Sequence, residues 1–470
     1  MTRLKGAIIR TAVLLSVMAT MAATVAISGG SMSYASARGH VQSHTTAAST
    51  PHSSAVTISF TDWDPNQLKI IDLPVIAAFE KANPNIKVNA AQVPYAEYFT
   101  KLETGLVSGT APDVFTMIPN FIDQFEVNHA LLNLTPYITK AKINMAAYAP
   151  FAVANCSAGG HVYGMPWTVD TIGMYYNATD LAKAGFKSYP TNLTWAPNGS
   201  GTLVPFLEKL TVDANGKNAT QPGFDPTKIV QYALALSPDS TQTFADVYME
   251  ENGGGYQTTG PGGAPTVDSP QNVATYQFIW DLMYKYHVSP PGATVIAPNA
   301  GAEENQFLSG KTALLQGGDW LITPISAGAK FKWGVGPLPS GPKGRMGTIN
   351  AGCSSIPAND KNTQAAVALT LFGSSAQAQT IQASTGGWQP AMLSKSYLYV
   401  DAWKKRGVNA TPLTPAAQGK LIALPSGVNI TAVQTATDDA VADIYLNTST
   451  VPAALKAAQT AAVAAYHSNT

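Results

Sequence analysis

Between residues 56 and 117 the chain alternates strand-like and helix-like segments, and this alternation narrows the possible folds more than any other feature. Residues 56–60 alternate apolar and polar side chains and stop at Asp62-Trp63-Asp64-Pro65, as a strand entering a turn does. Ile71, Val75, Ala78 and Phe79 then recur at helical spacing, and Asn83-Pro84-Asn85 ends that run. A second strand over 86–90, a helix over 96–108 and a third strand over 113–117 follow. Strand, helix, strand, helix, strand predicts a largely parallel sheet flanked by helices, an α/β fold. In such sheets a ligand lies beyond the carboxyl ends of the strands, which places Trp63, Asp64, Met117 and Asn120 at a candidate site.

Further along, 163–176 reads as one long extended segment. Helices are expected near 203–211, 271–287, 303–309, 364–372 and 376–383, and a strand over 312–316. The tail 431–467 is Ala-rich and helical, with a break near Asn447. At 470 residues there is room for two domains, or one large one, with buried cores.

Arg3, Lys5 and Arg10 precede an apolar run over 11–27 and then Ala35-Ser36-Ala37, so residues 1–37 are expected to be a secretory signal. The alternative is an uncleaved membrane anchor, and either way the remainder lies outside the membrane. Residues 38–55, rich in Ser, Thr, Ala and His, read as a flexible linker. In an exported chain the only two cysteines, Cys156 and Cys353, are a candidate disulfide, with two unpaired buried thiols as the alternative.

Lys plus Arg equals Asp plus Glu at 28 each, and no basic run occurs, which argues against nucleic acid as a partner. Only 12% of residues are charged, and a surface carried by Thr, Ser, Asn and Gln keeps its hydration when carboxylates protonate, which is compatible with an acidic habitat. No cofactor is expected: Gly334-Val335-Gly336 leads into Pro-Leu-Pro, which cannot open a dinucleotide-binding helix. No metal is expected either. The stretch from Asp213 to Asn218 resembles a calcium loop but has Phe224 where the closing carboxylate should stand. No nucleophile–base pairing is visible, which argues against an enzyme; a secreted glycosidase would draw on Asp64, Asp113, Asp170 or Asp319. Trp63, Trp167, Trp320 and Trp388 stand near strand ends or turns, where they could stack on pyranose rings while Asp, Asn and Gln bind hydroxyls.

These features occur within an ordered set of motifs: FTDWDP, IAAFEKANPNIKV, KLETGLVSGTAPDVFTM with NHALLNLTPYI, YGMPWTVDTIGMYYN, FLSGKTALLQGGDWLI, WGVGPLPSGPKGRMGTINAGCSSIPAND, TGGWQPAM and VPAALKAAQTAAVAAYH. The set resembles the extracellular solute-binding proteins of carbohydrate ABC importers, the family that includes maltodextrin-binding proteins, over nearly all of 56–467. The resemblance implies a periplasmic-binding-protein-like fold of two α/β lobes exchanging segments across a hinge. Lobe 1 would be 56–170 plus 338–385 and lobe 2 would be 171–337 plus 386–470. It also implies a monomer that captures a mono- or oligosaccharide by hinge closure and delivers it to a permease and an ATPase.

Carried over by position, the resemblance assigns Trp63, Asp64 and Asn66 to a sugar-contacting loop, with Tyr95 and Glu97 in the next loop. Met117 and Asn120 follow the third strand, and Asp170 accepts hydroxyl hydrogen bonds from the crossing strand. Trp320 stacks from lobe 2 beside Asp319, Trp388 lines the cleft near the hinge, and Phe244 or Tyr248 adds a wall. The chain departs from many such proteins of Gram-positive bacteria in lacking a lipobox cysteine at the signal site. It is therefore expected to be free, or tethered by a retained N-terminal segment. Alternatives are a polyol phosphate ligand, with Arg345 and Lys343 the nearest cations, or a closed lobe pair that docks on a receptor.

Overall fold

The computed structural model describes residues 55–238, 243–258, 262–296 and 302–468, so the expected signal and nearly all of the linker lie outside the described residues. Its centre is an eleven-stranded sheet. The strands are β1 (Val56–Asp62), β2 (Ile86–Gln92), β3 (Val114–Met117), β4 (Gly164–Asn177), β5 (Val212–Asp213), β6 (Ile229–Ala235), β7 (Thr312–Gly318), β8 (Trp333–Gly336), β9 (Met346–Ser355), β10 (Gln389–Pro390) and β11 (Lys420–Ala423). The main order is β2-β1-β3-β9-β4-β7-β6-β5, with β8 and β10 also on β4 and β11 on β9.

The three strands read from 56–117 pair in parallel, from Val56 opposite Ile86 to Asp62 opposite Gln92, and with Phe60 opposite Val114. Between them run α1 (Leu73–Ala82), which buries Val75, Ile76 and Phe79, and α2 (Tyr95–Ser108), which Gly109 ends at φ 71°. A left-handed residue there is cheapest as glycine. A short helical turn, Pro65–Gln67, and a π-helical turn, Leu68–Asp72, connect β1 to α1.

The 14-residue strand β4 passes through two apolar cores. Met165, Trp167 and Val169 pack with Phe60, Val114, Phe115, Cys353 and Ala366. Ile172 and Met174 pack with Leu234, Tyr248, Phe278 and Leu314. Strand β9 makes the same passage, with Met346 in the second core and Ala351 and Cys353 in the first; Leu338 also lies in the second. Along β4 and β9 the pairing is antiparallel, from Ser355 opposite Gly164 to Ile349 opposite Thr171, with a register shift between Gly352 and Cys353.

Strands β6 and β9 are absent from the sequence reading. Strand β9 is buried at every position and rich in Gly, Ala and Ser, so it has neither the alternation of a half-buried strand nor the bulk of a core one. Trp167, expected near a site, is a core residue: it stacks on Phe60 at 5.6 Å and its indole N–H donates to the Thr370 carbonyl at 3.0 Å. The calcium-like loop is closed by its own backbone. The Asp213 carboxylate accepts from the amides of Asn215, Lys217 and Asp225, each at 2.9 Å, which fills the positions a cation would need.

Cys156 and Cys353 form a disulfide between residues 197 apart, with both cysteines in the first core. Closing so long a loop restricts the unfolded chain, so replacing both cysteines by Ala should cost about 2–4 kcal/mol. Denaturant unfolding of the double variant against the parent checks this.

Candidate functional site

The turn after β1 is organised by carboxylates. Asp62 is fully buried and accepts from the Asp64 amide at 2.6 Å and the Gln67 side chain at 2.7 Å. Asp64 caps the following turn, accepting from the amides of Asn66 at 2.7 Å and Gln67 at 3.2 Å. Burial raises the Asp64 pKa, and hydrogen bonds from Asn66, Gln67 and the Trp388 side chain oppose that rise. Asp72, also fully buried, joins the group, although neither of its oxygens accepts a hydrogen bond. Burial first, and then the charges of Asp62 and Asp64, hold it well above the usual carboxylate range.

A second set of groups is fixed by sheet register. Asp170 on β4 pairs with Asn350 on β9, and Ile172 pairs with Gly318 at the end of β7. That pairing sets Asp319 beside Asp170 and turns the chain into Trp320. A Cβ at Gly318 would overlap the Trp320 ring, so the close approach of ring to strand requires glycine there. The Gln389 side chain on β10 donates to Asp319 at 3.0 Å and to the Leu413 carbonyl at 2.8 Å. The other Asp319 oxygen and the Gln389 oxygen are buried without partners. Burial, and then the Asp170 charge, push Asp319 well up.

The two sets meet at two indoles. Trp388 packs on Ile71, Val75 and Ala378, and its ring lies 6.3 Å from that of Trp320 at 31° between planes. The pKa of Glu304, at the start of the helix Ala302–Leu308, is raised by burial and then by the charges of Glu303 and Asp64. Trp320 and Trp388 thus come together with Asp64 beside Trp388, and Asp319, next to Trp320 in the chain, lies beside Asp170. Gln389, Glu304, Asp62 and Asp72 were not singled out from the sequence. Gln389 stands inside the TGGWQPAM motif, the one available signal, while the other three are carboxylates whose partners are set only by tertiary packing.

Other expected site residues lie elsewhere. Met117 is in the first core and Phe244 and Tyr248 are in the second, where Tyr248 stacks on Phe244 at 4.6 Å. Asn66 contributes its amide to the Asp64 turn. Asn120 is buried at the start of the helix Pro119–Val127. Trp63 packs edge-on against Tyr98 at 5.2 Å and Tyr95 at 6.0 Å, and Tyr95 is exposed. Glu97 pairs with Lys101 on the exposed side of α2. Arg345 donates to the Thr191 carbonyl at 2.6 Å and Lys343 lies against Gly253, so neither joins the two indoles. A cavity of about 420 Å³ lined by Asp123, Asn155, Asp246, Glu250 and Ser426 is separate, because neither Trp320 nor Trp388 borders it.

Burial pushes Asp62 up to about 7 and Glu251, bound to the Trp195 indole at 2.5 Å and the Met346 amide at 2.8 Å, up to about 8. Both values exceed those of the unfolded chain, so the fold retains protons that the unfolded chain releases. The associated stability is fully present below the ordinary carboxylate range and is lost as pH rises through about 7 to 8. The melting temperature should therefore fall by roughly 5 °C or more between pH 5 and 8.5. Glu251→Gln should flatten that slope, measured by calorimetry across pH.

A two-lobed α/β fold with aromatic and carboxyl groups converging where strands cross defines the solute-binding class. Residues 75–412 match the model for bacterial extracellular solute-binding proteins, and the chain belongs to that family. It is similar to Mycobacterium tuberculosis UspC, at 30% identity and a TM-score of 0.71 over 87% of this chain and 100% of the other. It also resembles a Listeria monocytogenes ABC substrate-binding protein in complex with cycloalternan, at 22% identity and a TM-score of 0.74 over 87% and 98%. The maltotriose-binding protein of Pyrococcus abyssi is 22% identical over 287 residues, 59% of this chain. A probable ABC transporter-binding protein of Deinococcus radiodurans is 26% identical over 284 residues, 58% of this chain. The chain spans about half the length of these curated relatives, 52% and 61% respectively. Among the described residues no helix is long and apolar enough to cross a membrane.

Proposed function

We propose that the protein is the extracellular substrate-binding component of an ABC importer, capturing a saccharide between its lobes and presenting it to a permease and ATPase. The observation that carries this reading is the pair of indoles, Trp320 and Trp388, set 6.3 Å apart beside Asp64 and Asp319. Indole faces suit the apolar faces of pyranose rings, and acceptors around them suit hydroxyls. Relatives named for maltotriose, lactose and maltodextrin support a saccharide.

The lobes in this reading follow the two cores. Lobe 1 takes 56–170 and lobe 2 begins at 171, and the return crossing falls on β9 between Met346 and Ala351. That is later than the 338 boundary suggested by motif alone, because Leu338 and Met346 pack in the second core. Asp64 and Trp388 contribute from one side of the hinge, Asp319 and Trp320 from the other, and Asp170 from the crossing strand. A ligand touching both sides stabilises the closed arrangement by the contacts it makes only there. Binding proceeds without bond making. The N-terminal 37 residues serve as the export signal, and the mature chain acts as a monomer. A phosphate ligand is disfavoured because Arg345 and Lys343, the cations that reading relied on, lie against Thr191 and Gly253 and not at the indoles.

Trp320→Ala should weaken saccharide binding by about 100-fold while the unliganded melting temperature changes little. Calorimetric titration with maltotriose and related oligosaccharides tests the reading. Affinity retained in the folded variant would remove the stacking role, and no response to any saccharide would overturn the assignment.

A further inference from the structure

Resting on the saccharide reading, we propose that Tyr175, Trp403 and Arg406 are positioning residues of the site: they hold the two turns that present Trp320 and Trp388, and so set the spacing of the indoles. Tyr175 and Trp403 are buried in a third apolar cluster, with Leu315, Ile322, Ile325 and Tyr399. From that cluster each sends one hydrogen bond to the carbonyl two residues before an indole. The Tyr175 hydroxyl donates to the Gly318 carbonyl at 2.7 Å, and the Trp403 indole N–H donates to the Gly386 carbonyl at 2.7 Å. Tyr175 pairs with Leu315 on β7, a few residues before Gly318, while Ile322 and Ile325 lie on the helix Ile322–Gly328 that follows Trp320. The same cluster therefore grips the chain on both sides of Trp320.

The turn before Trp388 is gripped twice. The helix Ala376–Thr385 ends at Gly386, at φ 73°, and its last carbonyls need donors from outside the helix. Trp403 and Arg406 stand three residues apart at the end of the helix Ser396–Lys405, where they share a face. Arg406 donates to the Thr385 carbonyl at 2.7 Å, beside the Trp403 bond, and its guanidinium lies 4.6 Å from the Trp403 ring. A Cβ at Gly386 would meet Arg406 at 2.9 Å and Trp403 at 3.0 Å, so the grip requires glycine there. Both turns are also registered on β4, through the Gln389–Val169 and Gly318–Ile172 pairs, where that strand passes between the cores. Displacements near the pivot of a hinge are small, so one cluster can hold both turns while the outer parts of the lobes move. A binding constellation keeps its geometry to about 0.5 Å only when supporting packing and hydrogen bonds lock it, which is what these three side chains supply.

The test is a pair of double-mutant cycles read by calorimetric titration with maltotriose and related oligosaccharides. Tyr175→Phe removes one hydroxyl and keeps the ring, and it should weaken binding by the parent about fivefold, the worth of one hydrogen bond. In a Trp320→Ala background the same change should alter affinity by less than about twofold, because the indole it positions is gone. Arg406→Met, at an exposed position, should likewise weaken the parent about fivefold. That effect should vanish beside Trp388→Leu, which keeps an apolar side chain against Ile71 and Val75. Unliganded melting curves establish that each variant is folded. A role confined to stability would lower the melting temperature and leave affinity unchanged, or weaken both backgrounds equally. Either result overturns the positioning proposal and leaves the saccharide reading in place, whereas failure of the parent to bind any of these saccharides overturns both.

Discussion

Everything in this molecule hangs on the antiparallel pairing of β4 with β9. Each strand begins in one apolar core and ends in the other, so the two cores are covalently continuous twice over. Backbone pairing along the two strands carries that continuity. Such a ribbon resists shear and stretch yet can flex about its width, which is what a hinge between two rigid cores needs. The groups that gather around the indoles do so because this ribbon fixes Asp170, and because β7 and β10 are registered against it.

Much of the fold was legible in the sequence, and the legible parts share a cause. Elements with one buried and one wet face announce themselves by period, as β1, α1, β2 and α2 do. Strand β9 has no wet face and few large side chains, so neither period nor bulk marks it. The site divides similarly. Asp64, Asp319, Trp320 and Trp388 lie at strand ends and turns, positions that chain order predicts, while Asp170 sits mid-strand in β4. Met117 closes β3 but faces the first core, since a strand-end residue may face either side of its sheet, whereas Phe244 and Tyr248 belong to the cap and body of the helix Ala245–Glu251 and pack in the second core. Asp62, Asp72, Gln389 and Glu304 gain meaning only from neighbours distant in sequence.

The carboxylates give the protein an unusual electrostatic character. Asp62, Asp72, Glu251 and Asp319 are all nearly inaccessible, and burial raises each one. The ordinary pattern, in which native carboxylates are lowered by partners and acid unfolds the chain, is reversed at these positions. A surface with few charges and an interior that favours protonated carboxyls suit the same acidic surroundings, one through hydration and the other through linkage.

The place of β9 in the sheet also sets an order of events. Strand β9 lies between β3 and β4, so the first core has a gap in its sheet until residues beyond 355 are available. The second core draws on residues from Ile172 to Ala462, so it too waits for the C-terminal helices. Neither core can therefore be completed until most of the chain is present. The late bond between Cys156 and Cys353 then seals the lobe once its last strand has arrived.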